Sequence, residues 1–354
     1  MGVVRARHAD LGSGRGLGDA VVNPGKGPAG GADRDVQPGH SDHASAKIKV
    51  EVRLMLGLLA YDGSPDAQHA VALANALAWP SDSTLRVVTV VEPTSMIMVT
   101  PWSSGALKAT LEVEAQALAL YETAQADVVK RAERPGLRLE SAILRGRPAT
   151  VLVEEAATSG ADVMIVGSRG QGTIAELVLG SVSAEVVEHA ACPVLVARTP
   201  AVRRILFASD GSRPALAAEA LLVDWSIFEG LPIQVVSVAD VVRPWHTGIA
   251  PTMYRQVIEA HAKDLEVARA DQDRVATSSA ARLHEAGRDA HSLIRTGDPA
   301  TQIIAAAAED GADLIVIGSR GLTGLSRVLL GSVARNVIHG SAASVLVVRA
   351  EGDA

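Results

Sequence analysis

The strongest constraint in this chain is a frame of glycines written twice. Gly167–Ser181 reads GSRGQGTIAELVLGS and Gly318–Ser332 reads GSRGLTGLSRVLLGS, 151 residues further on. Each copy follows G-x2-G-x9-G-S, with Gly167, Gly170, Gly180 and Ser181 in the first and Gly318, Gly321, Gly331 and Ser332 in the second. A second landmark, Asp-Gly-Ser, stands at Asp62–Ser64 and again at Asp210–Ser212, 148 residues apart, so the second copy has gained three residues between landmarks. Duplication at this length implies two whole domains rather than a solenoid of short repeats.

The segments between the landmarks recur in one order. An apolar run ending in Asp-Gly (VRLMLGLLAYDGS, RRILFASDGS) reads as a buried strand meeting a turn. A helix follows, with Pro65 at a first-turn position in the first copy and a span near 214–228 in the second. Then come TLRVVTVVEP or PIQVVSVAD as a strand and a long helical stretch near 104–134 or 251–286. LRLESAIL or DAHSLIRT makes a third strand, followed by a helix that Gly160 ends in the first copy. ADVMIVG or ADLIVIG is the fourth strand, and the glycine loop, one more helix and PVLVAR or SVLVVRA complete the unit. Strands alternating with helices predict an α/β fold with a doubly wound parallel sheet in each copy. The expected domains are residues 48–199 and 200–350, joined at RTPAVRR. The core must be aliphatic, since hydrophobic residues make up 48% of the chain and aromatics 3%.

Residues 1–47 differ from the rest, being rich in Gly, Pro and Asp with little apolar periodicity, and are expected to be a disordered extension. Gly12, Gly14, Gly16 and Gly18 there imitate a dinucleotide-binding loop without the strand before it or the helix after it. A net charge of −7 and no basic stripe argue against a nucleic-acid partner. No apolar run approaches the roughly 20 residues of a membrane span, and no apolar leader is seen at the N-terminus. The lone cysteine, Cys192, cannot form an intrachain disulfide and reads as a small buried hydrophobe. A cytoplasmic protein is the expectation.

Ligands of doubly wound sheets bind beyond the carboxyl ends of the strands, where strand order reverses. Both glycine loops fall there. Glycine leaves no Cβ between main chain and ligand, and successive N–H groups turned inward make an anion-binding concavity. Each closing Gly-Ser opens a helix, whose first N–H groups and dipole face the same spot. Three residues after each serine, where a self-capping helix carries Glu or Gln, stand Ala184 and Arg335. Asp62 and Asp210, at the end of the adjacent first strand, can accept from an exocyclic amine or a ribose hydroxyl. Alone, each would be read as shaping its turn.

On these motifs both units resemble the universal stress protein family, in its ATP-binding branch, across roughly residues 48–350. The resemblance implies adenine-nucleotide-binding α/β domains with strand order 3-2-1-4-5. It implies that Asp62 with the main chain of Val90, and Asp210 with that of Val238, hold adenine. The glycines and serines of the loops would hold ribose and phosphates, with ATP as ligand and Mg or Mn as its companion. Family members commonly dimerise through the fifth strand. The two fifth strands are therefore expected to pair within this chain as an intrachain pseudo-dimer, and a homodimer of two chains is a further option.

Some positions depart from the family's pattern. Tyr61, beside Asp62, stands where a smaller residue is usual, and would crowd the first pocket. Ser344 replaces the first copy's Pro193, and the loop middles differ, QGT against LTG. Arg169 and Arg320 lie inside the loops and could reach phosphate oxygens. His189 and His339 do not align between copies, and Trp102 and Trp245 fall in the connections leading into the long helices. The leading function is a stress-response regulatory protein working by nucleotide-dependent conformational coupling, not an enzyme. The alternatives are a slow ATP hydrolase and a nucleotide-free dimerisation module. Neither a Walker lysine motif nor an acid/base pair near the loops supports efficient turnover.

Overall fold

The computed structural model describes residues 53–92, 104–170, 179–240, 251–322 and 330–350. By contact the chain forms two units, residues 1–50 and 51–354, and every described residue lies in the second. The N-terminal extension, Trp102, Trp245 and the loop residues Gln171, Gly172, Thr173, Thr323 and Gly324 lie outside the described residues.

The first copy runs β1 (Leu56–Ala60), α1 (Pro65–Ala76), β2 (Ser83–Val91), α2 (Ser104–Ala132), β3 (Leu137–Arg145), α3 (Pro148–Ser159), β4 (Val163–Gly167), α4 (Ser181–His189) and β5 (Val194–Ala197). The second repeats it as β6 (Ile205–Ala208), α5 (Arg213–Asp224), β7 (Ile233–Ala239), α6 (Pro251–Glu285), β8 (Ala290–Thr296), α7 (Pro299–Asp310), β9 (Leu314–Gly318), α8 (Ser332–Gly340) and β10 (Ser344–Val348). The helix expected near 214–228 is shorter than its sequence pattern. Trp225 turns extended, and a 3-10 turn, Ser226–Phe228, follows. Trp225, Ile227 and Phe228 are all buried, and Trp225 stacks on Phe228 with ring centroids 6.1 Å apart. Such close-spaced large side chains cannot share one stripe of a continuing helix.

All strands of each copy pair in parallel, in the order 3-2-1-4-5, and the two sheets join at their fifth strands. The result is one sheet ordered β3-β2-β1-β4-β5-β10-β9-β6-β7-β8. At the junction β5 and β10 pair antiparallel, with Val196, Leu195 and Val194 opposite Val345, Leu346 and Val347. Leu195 and Leu346 hold the same place in their repeats, 151 residues apart, so their pairing sits on a local twofold. Each strand thereby covers the edge the other would expose. Ser344, the residue replacing Pro193, is buried and anchors the linker: its Oγ accepts from the N–H groups of Arg198 at 3.0 Å and Thr199 at 3.1 Å.

Alternation along the strands divides the core in two. Leu59, Leu85, Phe207 and Leu346 face α1, α2, α5 and α6, whereas Leu58, Val88, Leu206 and Val345 face α3, α4, α7 and α8. A ligand above the carboxyl ends of the strands therefore has helices of both layers within reach.

Candidate functional site

Each copy opens a cavity at the place the topology predicts. The first, of about 460 Å³, and the second, of about 650 Å³, lie over the ends of strands β1, β2 and β4 and of β6, β7 and β9. Asp62, Val90, Gly167, Gly170, Gly180 and Ser181 line the first, and Asp210, Val238, Gly318, Gly321, Gly331 and Ser332 the second. Residues far apart in sequence are thus gathered at one spot twice.

The Asp-Gly-Ser turns do two jobs. Oδ1 of Asp62 accepts the N–H of Ser64 at 3.0 Å, and Oδ1 of Asp210 that of Ser212 at 2.9 Å, so both aspartates do shape their turns. The left-handed backbone this requires falls on Gly63 (φ 81°) and Gly211 (φ 75°). The second carboxylate oxygen points the other way. A Cβ on Gly170 would lie 2.8 Å from Asp62 Oδ2, and one on Gly321 would lie 2.7 Å from Asp210 Oδ2, which also accepts the N–H of Leu322 at 3.2 Å. The serines, given no separate role in the sequence, bind turn to loop. Ser64 Oγ donates to the Arg169 carbonyl at 3.3 Å, and Ser212 Oγ to that of Arg320 at 3.2 Å, while each accepts from its helix as N-cap.

The glycines of the frame serve different ends. A Cβ on Gly167 would meet the backbone of Asp66 and Ala67 at 2.8–2.9 Å, and one on Gly318 that of Pro214 and Ala215 at the same distances. These two let the helix after the first strand approach the fourth strand. Gly180 and Gly331 instead pass against the start of their own loops, where Gly180 N–H donates to Ser168 O and Gly331 N–H to Ser319 O, both at 2.8 Å. Each loop is closed on itself just before its helix begins.

Those helices start bare. Neither α4 nor α8 has a side-chain cap, and their first internal bonds are Ala184 N–H to Gly180 O and Arg335 N–H to Gly331 O, both at 2.9 Å. The N–H groups of Ser181, Val182 and Ser183, and of Ser332, Val333 and Ala334, thus have no partner inside their helix, and these residues line the cavities. The second strand adds main-chain groups on the far side. Val88 O accepts from Tyr61 N–H across to β1, while Val91 O accepts from Gly146 on the side of β3. By alternation, the N–H and C=O of Val90 point past the end of β1 over the cavity. Val236 O and Ala239 O fix the same orientation for Val238.

The first cavity has a feature the sequence reading missed. Asp66 is 6% exposed, accepts from Ser168 Oγ at 2.8 Å and Arg169 Nε at 2.7 Å, and so holds the loop arginine to α1. Burial pushes its carboxyl up, but the hydrogen bonds from Arg169 and Ser168 outweigh it and hold it below its ordinary 3.8. No local pattern announces this, because the partners are about a hundred residues apart. The equivalent of Asp66 in the second copy is Pro214. Tyr61 is 6% exposed and its hydroxyl accepts from Gln68 Nε2 at 2.8 Å, so it packs beneath α1 while lining the cavity's edge. His189 Nδ1 lies 2.9 Å from Glu185 O at the end of α4, and His339 lies in a cleft between α4 and α8, both away from the cavities. Burial raises the Cys192 thiol to about 11, so at neutral pH it remains protonated and inert.

Fold and site together define a duplicated α/β protein with a main-chain-lined cavity in each half. The Universal stress protein family model matches residues 58–198 and again 201–349, and the chain belongs to that family. A universal stress protein of Thermus aquaticus is 38% identical over 145 residues, covering 40% of this chain and 96% of its own. One from Mycolicibacterium smegmatis is 26% identical over 309 residues, covering 82% of this chain and 96% of its own, which makes it a relative of tandem size. The crystal structure of a universal stress protein from Archaeoglobus fulgidus superposes over 84% of this chain and 97% of its own with a TM-score of 0.53 at 21% identity, a likeness of fold. Among the described residues no helix is long and apolar enough to cross a membrane.

Proposed function

We propose that this chain is a stress-response regulatory protein that binds ATP in both cavities and acts by nucleotide-dependent conformational coupling rather than by turnover. One observation carries the reading. In each half, three helix N–H groups without an internal partner and the main-chain groups of a strand end (Val90 or Val238) line one cavity of several hundred Å³. The helix end suits the triphosphate, since its N–H groups and dipole favour negative charge. The strand end suits adenine, offering a donor and an acceptor side by side to the N1 and N6 edge, with Asp62 or Asp210 as a further acceptor. The described residues hold no cluster of three or more His, Cys, Asp or Glu fit for a metal, so a Mg or Mn ion would travel on the phosphates themselves.

Heat denaturation of the purified protein followed by ion exchange of the supernatant tests this. Released or titratable ATP at two per chain is expected. Gly170→Asp should remove one equivalent, Gly321→Asp the other, and the double variant both, with the melting profile retained. No nucleotide and no titration response would favour a nucleotide-free dimerisation module, and ADP alone would point to slow hydrolysis.

A further inference from the structure

We propose that Gln272 is a specificity-determining residue of the second cavity, reading the hydrogen-bonding edge of the base, where the first cavity presents the phenol of Tyr121 instead. The inference rests on the reading of both cavities as adenine-nucleotide sites. Gln272 and Tyr121 are 151 residues apart, the spacing that also separates Gly146 from Gly297 and Gly167 from Gly318, so they are equivalent positions of the long helices α6 and α2. Both line their cavities. The pseudo-symmetric sites therefore differ in chemistry at one and the same point of the wall.

The place is suited to a base. α6 packs on β7 and belongs to the layer containing Ala280 and Leu283, opposite the layer of α8 with Ala334 and Val337. The phosphate end lies against α8. Gln272 thus stands on the opposite face of the sheet from α8 and lines the same cavity as Val238.

The side chain is also unspent. Gln272 Oε1 is buried with no hydrogen-bond partner among the described residues. A buried acceptor without a donor is unfavourable, and a ligand that supplies one relieves that cost as it binds. Asp210 and Asp240 line the same cavity, and carboxylates only accept. The first cavity matches these with Asp62 and Glu92, so what distinguishes the second is the unpartnered acceptor of Gln272, which favours a base with an exocyclic amine, adenine above its 6-oxo counterpart hypoxanthine. Tyr121 instead lines the first cavity with a ring and a hydroxyl that can both donate and accept, so it favours neither base. The first cavity is accordingly the more permissive of the two.

The test uses the full chain, titrated calorimetrically with ATP and with inosine triphosphate. For the unaltered protein, one site should prefer ATP by about tenfold or more, the worth of one hydrogen bond to a buried group, and the other should discriminate less. Gln272→Met, close in volume and without polar atoms, should collapse the preference at the discriminating site, and Gly321→Asp should abolish that same site. A merely structural role for Gln272 would weaken both nucleotides equally. Equal weakening, or no change in the ratio, overturns this inference and leaves the proposed function standing. Failure of the unaltered chain to bind ATP at either site overturns both.

Discussion

The two cavities share a backbone and differ in what holds it. In the first, Asp66 ties Ser168 and Arg169 to α1, and Ser183 Oγ donates to Gly167 O at 2.7 Å, so side chains on both neighbouring helices grip the loop. In the second, Pro214 and Ala334 stand at those positions, neither offering a side-chain hydrogen bond, and Ser319 Oγ is buried without a partner among the described residues. The second cavity is also larger, about 650 against 460 Å³. The main-chain features common to both are the repeated ones, whereas side chains that fasten the loop vary. A cradle of amides tolerates divergence in its supports because its donors belong to every residue alike.

The largest expected difference comes from removing a support. Asp66→Ala leaves the Arg169 charge and a buried hydroxyl without their carboxylate and should cost about 3 kcal/mol in thermal or denaturant unfolding. That is the low end for a buried pair, because the Arg169 side chain is 28% exposed. Pro214→Ala should cost less than about 1 kcal/mol, since only chain stiffness is lost. Equal losses would show that the first loop is not fastened as described.

The same carboxyl gives a pH dependence. Its folded value lies below its ordinary 3.8, so its contribution is fully present above that pH and fades as the pH falls below it through the folded value. Asp66→Asn should flatten stability against pH in that acidic range alone. A flattening at neutral pH would point to another group.

Glycine substitutions should separate packing from binding by a smaller margin. Gly167→Ala and Gly318→Ala press a Cβ onto helix backbone and should cost about 1–3 kcal/mol. Gly170→Ala and Gly321→Ala meet the end of an aspartate that can swing away, so unfolding should shift by less than about 1 kcal/mol while ATP affinity falls at the altered cavity. A small effect is that of Tyr61→Phe, which removes the acceptor of the half-buried Gln68 Nε2 and should cost about 0.5 kcal/mol, with no counterpart at Ser209.

Much of the architecture was legible in the residues. The apolar runs, the turns and their repetition gave the parallel sheets and the order of elements, because strand and helix periodicity are local properties. That Asp62, Asp210 and the glycine loops gather over the strand ends was legible as well, since each follows directly on its strand. The separate tasks of the glycines were not. Gly167 and Gly170 belong to one motif, yet one admits a helix and the other lies against a carboxylate. Asp66, Tyr121 and Gln272 sat unremarked within helices, because what each faces lies on another element.

The sequence by itself determined that two copies of one α/β unit exist and where each copy ends its strands, for periodicity and turn chemistry act over a few residues. Only the tertiary structure decided the antiparallel register of β5 on β10, with Leu195 opposite Leu346, and that Asp66 holds the first loop where Pro214 stands in the second. It alone decided which side chain of each long helix lines a cavity. Those outcomes depend on distances between segments a hundred or more residues apart, which packing sets and no local pattern encodes.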